Sequence, residues 1–525
     1  MKILCGYNVN IDSVYKICGA ELSELLDSFE SSEILDKIKN PPGRIETLSD
    51  FAAGLAYCMK NGYGEEWLVF GDSIFEFLKE HYFGKALVRM GGNAGIMANA
   101  LSELGASLVV PNIAVPSKLQ LSLFSRKNLY FPKNSEKPQV EKPQVSEETF
   151  LDRPPIHFVF DFSEGDSFFL VGNQVVVPRE NRFIATCDQL NFKLFANPAF
   201  ETYVLEHVAE MDGVLISGFH LLLETYPDGS SYEKYVGQAF TRLRTWKAKN
   251  KKLKTHLEFG HFTSRKIART VFLNFSEISD SMGMNEDELA GFSDLHGIQP
   301  AGILKMEAEV VGKAALKLAS IGKLKRLLVH TREFVLAVVA LDSDLETEDI
   351  DIGRATGKTR SLTELEIGSL TELEIGSLTE PGTEPEIDSV AGFEADSVAN
   401  SFSKSVYSGF SDSLRKEAFR ELKALEFGIR AAGTYAATGK LEGKVFVESK
   451  SEELEESTFG KEQLSAFLSA FEGKPFLKGA FALREGYLLC MLPTLLSKAP
   501  VTTVGLGDTF TSGTFLRRLE LDLQA

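Results

Sequence analysis

The chain has 525 residues, of which 44% are hydrophobic and 25% are charged, a composition typical of a folded globular protein. Its 56 Lys and Arg residues against 74 Asp and Glu residues give a net charge of −18, which argues against a nucleic-acid binder or a protein that binds anionic membranes. Five scattered cysteines without a C-x-x-C pair, and the lack of a long apolar run, predict a soluble cytoplasmic protein with reduced core cysteines.

Short apolar segments alternate with amphipathic segments along the chain. This order predicts an α/β fold with βαβ units and a mostly parallel central sheet flanked by helices. Ligands of such sheets bind at the carboxyl ends of the strands, so polar motifs there are the most informative. The predicted strands are residues 1–5, 108–111, 157–161, 213–217, 254–259, 277–283, 326–330, 334–339 and 501–504. The predicted helices are residues 94–104, 231–249, 286–290, 307–321, 413–432 and 508–520.

Three polar, acidic segments interrupt this alternation. Residues 134–148 contain the pentapeptide EKPQV twice, and residues 361–386 contain a duplicated eight-residue unit. Residues 449–457 are rich in Glu. None of the three has a hydrophobic face wide enough to pack, so we expect each to be an exposed loop.

Two polar motifs occur near the start of the chain. Residues 7–12, YNVNID, follow the first predicted strand and place Asn8, Asn10 and Asp12 on a loop where a ligand would bind. Asn and Asp residues that simply form a turn are the alternative interpretation. Residues 90–105, MGGNAGIMANALSELG, lead through Gly92 and Asn93 into a helix of small residues. The Asn93 amide could bind a polar ligand, but glycines needed only for helix–sheet packing explain this segment as well.

The most informative motif is VTTVGLGDTFTSG at residues 501–513. A β-branched segment runs into Gly505, Leu506 and Gly507, and Asp508 then opens a helix. Free backbone N–H groups and the helix dipole at such a turn favour an anion, and Asp508 could accept a proton from a hydroxyl nucleophile. A plain strand–turn–helix with Asp508 as the N-cap is the alternative. The motif is not a P-loop, because no G-K-[ST] follows.

In this order the motifs resemble those of the ribokinase superfamily, and further segments resemble the ADP-dependent sugar kinases of archaea. These segments are H-x-E at 256–258, N-x-x-E at 285–288, NRFIA at 181–185, SGFH at 217–220 and LVHT at 328–331. The resemblance covers nearly the whole chain apart from the duplicated segments. It implies a large ribokinase-like domain of residues 1–12, 91–111 and 201–525 and a small α/β lid of roughly residues 13–90 and 112–200.

The resemblance also implies phosphoryl transfer from ADP to a sugar hydroxyl, in the presence of one or more divalent cations such as Mg²⁺. The implied group-transfer residues are Asp508, Gly505, Leu506 and Gly507. The implied Mg²⁺ ligands are Glu258, Glu288 and Asp508, oriented by His256 and Asn285; carboxylate oxygens suit this ion. The implied nucleotide contacts are His330, Ser497 and Gly507. The implied sugar contacts are Asn10, Asp12, Gly92 and Asn93. The choice of ADP over ATP comes from the resemblance alone.

The identity of the sugar depends on a few positions. Glu66 aligns where glucose-using members carry a sugar-binding Glu, and a carboxylate suits a sugar hydroxyl. A surface Glu is the alternative. Phosphofructokinases of the family carry a Lys and an Arg where Pro155 and Asp188 stand here. The nearby candidates for a phosphate contact are Arg182, Arg153 and Arg179. We therefore expect a kinase that acts on fructose 6-phosphate and/or glucose.

Two alternatives remain within this fold: a strict ADP-dependent glucokinase, and a non-catalytic protein that binds a sugar or a nucleotide. A Rossmann oxidoreductase is disfavoured because no G-x-G-x-x-G follows the first strand. We expect small-molecule ligands only, with neither nucleic acid nor membrane as partner. The sequence leaves the oligomeric state open and is compatible with a monomer.

Overall fold

The structure is a computed structural model that describes residues 1–125, 127–132, 140–141, 154–341 and 411–524. The chain divides into two compact units, one of residues Met1–Ala340 with Arg420–Ala525 and one of residues Leu341–Phe419. The duplicated segment at 361–386 lies outside the described residues. So does the segment at 134–148, except for Val140–Glu141, which form a short strand.

The helices, in chain order, are α1 (Gly19–Leu26), α2 (Ser31–Lys39), α3 (Leu48–Asn61), α4 (Asp72–His81), α5 (Asn93–Glu103), α6 (Lys118–Ser122), α7 (Pro198–His207), α8 (Tyr232–Lys249), α9 (Arg265–Ser276), α10 (Glu286–Leu295), α11 (Ala308–Gly322), α12 (Asp412–Thr438), α13 (Lys444–Ser451), α14 (Thr458–Ala470) and α15 (Leu506–Leu523). No helix in the described ranges is both long and apolar enough to span a membrane.

The strands, in chain order, are β1 (Lys2–Gly6), β2 (Asn10–Lys16), β3 (Arg44–Ile45), β4 (Glu65–Val69), β5 (Leu87–Gly91), β6 (Leu108–Pro111), β7 (Phe131–Pro132), β8 (Val140–Glu141), β9 (Ile156–Phe162), β10 (Ser167–Leu170), β11 (Asn173–Val176), β12 (Asn181–Cys187), β13 (Gly213–Ile216), β14 (Lys254–Glu258), β15 (Ser281–Met284), β16 (Arg326–His330), β17 (Phe334–Ala340), β18 (Glu455–Glu456), β19 (Lys474–Phe476), β20 (Gly479–Arg484), β21 (Tyr487–Pro493) and β22 (Leu495–Leu496).

A ten-stranded sheet lies at the centre of the first unit, in the order β19–β20–β21–β17–β16–β15–β14–β13–β1–β6. The strands from β16 to β6 in this order are parallel, and the remaining four extend the sheet in antiparallel fashion. This arrangement confirms the predicted α/β fold with a mostly parallel sheet. We call it the large sheet.

Helices cover both faces of the large sheet. Successive residues of a strand point to opposite faces of the sheet. On β1, Ile3 and Cys5 are therefore buried in a cluster with residues of α5 and α15, whereas Leu4 is buried in a cluster with residues of α8 and α9. Because both faces are covered, the sequences of such parallel strands are mostly apolar and do not alternate between apolar and polar residues. Their carboxyl ends carry the polar motifs.

A second sheet, which we call the small sheet, has the order β3–β4–β12–β9–β2–β5. One of its faces packs against α3 through aromatic side chains: the Phe51 ring lies 5.1 Å from that of Phe160 and 6.1 Å from that of Phe183. The opposite face presents the residues that alternate with these buried ones. Its strands come from residues 10–91 and 156–187, close to the segments that the resemblance assigns to a lid.

The face of the small sheet opposite α3 carries a row of polar side chains, which we call the polar row. Arg89, Asp12, His157 and Thr186 stand directly opposite one another on β5, β2, β9 and β12, and the last three are buried. Two residues further along these strands lies a second row that includes Val14, Val159 and, on β4, Glu66. A third row includes Lys16, Asp161 and Arg182.

Several local predictions were wrong. Residues 501–504 form a loop whose first two N–H groups bond to the Ala436 carbonyl, so their β-branched side chains do not indicate a strand. The strand predicted at 277–283 begins only at Ser281, because α9 continues to Ser276. Residues 449–457 are not a simple loop, since they contain the end of α13 and β18. Cys18 is exposed and Cys187 is half-buried, whereas the other three cysteines are buried; none of these five described cysteines is in a disulfide.

The motif at 7–12 was also placed incorrectly. Asn10 and Asp12 lie in strand β2 of the small sheet and not on a loop. The reason is the alternation of the segment: Ile11, between them, is fully buried in the core of the small sheet, which forces Asn10 and Asp12 onto the other face.

Candidate active site

Gly505 and Gly507 shape the turn that leads into α15. Gly505 is the N-cap in the left-handed region, with a φ of 77°, a conformation that favours glycine. A side chain at Gly507 would approach the His330 imidazole to 2.9 Å. The first N–H groups of α15 have no partner within the helix, so the turn can bind an anion. Asp508 lies inside the first turn and is not the N-cap.

Asp508 is buried and held by an amide. Asn93 Nδ2 donates to Asp508 Oδ1 at 2.8 Å, and Asn8 Nδ2 donates to Asn93 Oδ1 at 3.1 Å. Burial raises the pKa of Asp508 to about 7, against the hydrogen bond from Asn93, which lowers it. A carboxyl group with such a pKa can take up a proton near neutral pH, as a general base requires.

Glu258 lies at the end of β14, at the centre of a hydrogen-bond network. Its Oε2 accepts from His256 Nε2 at 2.8 Å and from Thr511 Oγ1 at 3.0 Å, and its Oε1 accepts from His330 Nε2 at 2.7 Å. Burial alone would raise the pKa of Glu258, but the neighbouring His330 and His256 outweigh it and lower the pKa to about 2. Conversely, the pKa of His330 rises to about 9, against the effect of its own burial. The site therefore holds a carboxylate paired with an imidazolium beside Gly507.

Glu288 and Asn285 form a capping box at the start of α10. The Asn285 side chain accepts from the Glu288 N–H, and the Glu288 carboxylate accepts from the Asn285 N–H, both at 2.9 Å. Glu288 is thus in the first turn of a helix, as the predicted helix at 286–290 implies. Burial raises the pKa of Glu288 to about 8. Among the residues that the structure describes, no cationic side chain is hydrogen-bonded to its carboxylate, so a bound cation would stabilise its ionised form.

The polar row contains one predicted sugar contact, Asp12, and bonds to two others, Asn10 and Glu66. Asn10 Nδ2 donates to Asp12 Oδ1 at 2.8 Å, and Thr186 Oγ1 donates to Glu66 Oε1 at 2.6 Å. The His157 ring lies 3.6 Å from Glu66 and 3.5 Å from Asp188, measured from its nitrogens to their oxygens. These carboxylates raise the pKa of His157 although burial lowers it. Charges of both signs therefore alternate along the row.

A family model described as the ADP-specific phosphofructokinase/glucokinase conserved region matches residues 1–366 and 411–517. The chain belongs to this family. It is 26% identical to an ADP-specific phosphofructokinase of Thermococcus zilligii, over 70% of this chain and 80% of that protein. It is 28% identical to an ADP-dependent glucose/glucosamine kinase of Pyrococcus furiosus, over 64% of this chain and 72% of that protein. A solved structure described as an ADP-dependent kinase in complex with fructose 6-phosphate and ADPβS superposes with a TM-score of 0.71 at 21% identity, covering 99% of this chain and 93% of that one.

Within this family member, most of the predicted residues form two groups. The first surrounds the turn at Gly505 and contains Asn93, Asp508, His330, Glu258 and His256. The second is the polar row with Asn10 and Glu66. Gly92 joins the two groups: it is the N-cap of α5, with a φ of 72°, and a side chain there would collide with Asn10.

Other predicted residues lie apart. Arg182 lies four residues before Thr186 on β12, so their Cα atoms are about 13 Å apart at the usual rise per residue. Arg182 Nε lies 3.7 Å from Asp161 Oδ1. Asp188, by contrast, is buried beside the polar row, 3.5 Å from the His157 ring, and accepts from Asn191. Arg153 lies outside the described residues. Ser497 follows β22 and, in the part of the chain that the structure describes, its side chain bonds to none of the other predicted residues.

Sequence reasoning missed three side chains of these groups, His157, Thr511 and Arg89. It also missed the hydrogen bond from Asn8 to Asn93. His157 and Arg89 are polar residues inside otherwise apolar strand segments, a pattern that could have indicated a role. Thr511 lies three residues after Asp508 and faces Glu258, which only the fold could show.

Proposed function

We propose that this chain is an ADP-dependent sugar kinase that transfers the β-phosphoryl group of ADP to fructose 6-phosphate and/or glucose. AMP and the phosphorylated sugar are the products. The observation that carries the proposal is the placement of Asp508: a buried carboxyl group, oriented by Asn93, in the first turn of a helix whose opening N–H groups are free. The names of the relatives support ADP as the donor.

In the proposed reaction, Asp508 Oδ accepts the proton of the sugar hydroxyl as that oxygen attacks the β-phosphorus of ADP. The bond from the β-phosphorus to the bridging oxygen breaks, and AMP leaves. The free N–H groups after Gly505 would stabilise the charge on the transferring phosphoryl group. The His330 imidazolium, beside Gly507, would add a positive charge on the same side.

The residues present fit one divalent cation such as Mg²⁺. Among the residues that the structure describes, no group of three or more His, Cys, Asp or Glu side chains is arranged to hold a metal ion. Mg²⁺, however, usually keeps several waters and binds through one or two carboxylates together with substrate phosphates. Glu288 would hold the cation, and Glu258, which accepts hydrogen bonds from His256, His330 and Thr511, would contribute its negative charge nearby. The ion would neutralise charge on the donor phosphates.

The acceptor sugar would bind between the Asp508 group and the polar row. Asp12, Asn10 and Glu66 offer oxygen and amide groups suited to sugar hydroxyls, and His157 adds a donor beside them. In this proposal the small sheet acts as a lid. Its closure would exclude water, which otherwise competes with the sugar for the phosphoryl group.

A strict glucokinase is the second candidate. Glu66, Asp12 and Asp188 give the polar row carboxylates that would repel a sugar phosphate, whereas Arg182 lies about two rows away on the same face. Glucose carries hydroxyls only, so these carboxylates would accept hydrogen bonds from it.

A matrix of donors and acceptors tests the proposal. Wild-type protein is assayed with ADP or ATP against glucose or fructose 6-phosphate, and AMP formation is measured. Turnover with ADP and at least one sugar is expected, and no turnover with either sugar would overturn the proposal. Asp508→Asn keeps the shape of the side chain but removes the base, so kcat should fall about 10²–10⁴-fold. Asp27→Asn, an exposed residue after α1, is the matched control.

A further inference from the structure

Arg89 connects the small sheet to the loop that precedes the Gly505 turn. It lies on β5, directly opposite Asp12, and its NH1 donates to Thr502 Oγ1 at 3.1 Å. Thr502 Oγ1 in turn accepts from the Val504 N–H at 3.4 Å, one residue before Gly505. A chain of contacts therefore runs from the polar row to the start of the anion-binding turn.

The segment that follows β5 also contacts the residue on the far side of that turn. After β5 the chain passes through Gly92 to Asn93, which donates to Asp508. Arg89 and Asn93 thus hold the turn from both ends, at Thr502 before it and at Asp508 after it. A shift of β5 would therefore be transmitted to both ends of the turn.

The Arg89 guanidinium attracts Asp12 across the two strands, but only one of its three nitrogens is hydrogen-bonded within the described part of the chain. Its Nε and NH2 are buried and lack such a partner there. Burying donors without acceptors destabilises a fold. A methionine of similar length would fill the space without this cost. The one hydrogen bond of the Arg89 side chain, within the described residues, reaches Thr502 on the loop that leads into the Gly505 turn.

We propose that Arg89 is a positioning residue: through Thr502 it sets the position of the loop that leads into the Gly505 turn, and it couples the small sheet to phosphoryl transfer. The role in turnover rests on the proposed function. The mechanical link between β5 and the loop does not, and it can be measured separately.

The first measurement is hydrogen exchange of the ligand-free protein over residues 501–507. Arg89→Met should speed exchange in this segment, because the loop loses its bond to β5. Arg44→Met is the matched control, since Arg44 lies on edge strand β3 of the same sheet and its exposed side chain pairs with Glu46. This control should leave exchange at 501–507 unchanged. Equal exchange in wild type and Arg89→Met would overturn the proposal, whatever the activity of the protein.

The second measurement is steady-state kinetics with the ADP–sugar pair that the wild type turns over. Arg89→Met should lower kcat roughly 10- to 100-fold through misplacement of the turn, with KM for ADP nearly unchanged and the melting temperature not lowered. Thr502→Val, on a half-exposed loop, should lower kcat similarly. Because both variants break the same link, Arg89→Met with Thr502→Val should lose no more than either one alone. Losses that multiply in the double variant, or an unchanged kcat in Arg89→Met, would show that the link does not position the turn.

A rescue experiment separates positioning from a general effect on folding. Millimolar guanidinium added to Arg89→Ala should restore part of kcat, because the ion can occupy the vacated space and donate to Thr502. The same concentration should have no effect on Arg89→Ala combined with Thr502→Val. Restoration in both variants would contradict a role that acts through Thr502.

Discussion

Asn93 Nδ2 lies 2.8 Å from Asp508 Oδ1 and donates a hydrogen bond to it, while the Asn93 carbonyl oxygen accepts from Asn8. The amide is therefore fixed in one orientation by a residue from the end of β1. This relationship assigns the glycine-rich segment at 90–105 a role beyond helix packing. It brings the orienting amide, through the Gly92 turn, to the carboxylate that would act as the base.

Asn93→Asp should lower kcat more than Asn93→Ala. The alanine removes one donor to Asp508, whereas the aspartate places a second carboxyl group against it and disfavours its ionised form. We expect roughly a tenfold loss for the alanine variant and about a hundredfold loss or more for the aspartate variant. The measurement is kcat for both variants under saturating substrates.

Asn173→Ala and Asn173→Asp are suitable controls, since Asn173 is exposed on the β10–β11 hairpin. Both should match the wild type. If Asn93→Ala and Asn93→Asp were equally active, the contact with Asp508 would have no part in turnover.

The large sheet could be predicted because its parallel strands are apolar on both faces and alternate with amphipathic helices. Segments such as 213–216 and 326–330 carry that signal in a few consecutive residues. The loop at 501–504 could not be recognised in the same way. Val501 and Thr502 are β-branched, yet the Ala436 carbonyl takes up their N–H groups, and that contact depends on where α12 lies.

The polar row lies beyond sequence reasoning for a related physical reason. Asp12 meets Arg89 and His157 only because three strands far apart in the chain pair in one register. A shift of one residue would turn each side chain to the other face. Spacing within the motif at 501–513 predicted a helix that begins after the glycine turn, because that helix and turn are local. It did not predict which side chains form the polar row.

Glu258→Gln and Glu288→Gln should both raise the Mg²⁺ concentration needed for half-maximal activity. Each substitution replaces an anionic oxygen by a neutral amide, which binds a hard divalent cation less strongly. We expect the larger effect for Glu288, because Glu258 already accepts from three side chains. The check is a Mg²⁺ titration of initial rates at fixed ADP.

Asp287→Asn is the matched control for this titration, since Asp287 is an exposed neighbour on the first turn of α10. Its titration curve should overlay that of the wild type. Curves that also overlay for both Gln variants would remove Glu258 and Glu288 from the metal site.

Glu421 stabilises the fold through a buried ion-pair cluster. It is fully buried on α12, accepts from Arg326 Nε at 3.0 Å and accepts from Arg518 NH1 at 2.8 Å. Burial alone would raise the pKa of Glu421, but the two guanidinium groups outweigh it and lower the pKa. A lowered carboxyl pKa stabilises the folded state above the unfolded-state value of about 4.3, and this stabilisation is lost as pH falls through the folded-state pKa.

Glu421→Gln should therefore reduce the free energy of unfolding at pH 7 by about 3–5 kcal/mol, the range for breaking a buried pair. The difference from the wild type should narrow below about pH 4, because Glu421 then becomes protonated in the unfolded state and, at still lower pH, in the folded state. Urea denaturation at several pH values gives both quantities. Glu448→Gln, on the exposed side of α13, should differ little from the wild type at any pH. A difference for Glu421→Gln that stays constant down to pH 3 would mean that its charge is not what stabilises the cluster.

Glu66 is expected to decide how well glucose is used. Its Oε1 is held by Thr186 at 2.6 Å, so the carboxylate is oriented toward the polar row before any sugar binds. Losing one charge-assisted hydrogen bond costs about 1.5–3 kcal/mol, so Glu66→Ala should lower kcat/KM for glucose roughly 10- to 150-fold. The kcat/KM value for fructose 6-phosphate should fall less or should rise, because the variant removes a negative charge that would repel the phosphate.

Glu65→Ala is the control for Glu66→Ala. Glu65 precedes Glu66 on β4 and faces the other side of the sheet, where its charge acts on Tyr57 of α3. It should leave the ratio of the two kcat/KM values unchanged. Arg182→Ala should change the ratio in the opposite direction, because kcat/KM for fructose 6-phosphate should fall more than kcat/KM for glucose. Equal losses for both sugars in Glu66→Ala would mean that this carboxylate supports the small sheet and does not select the acceptor.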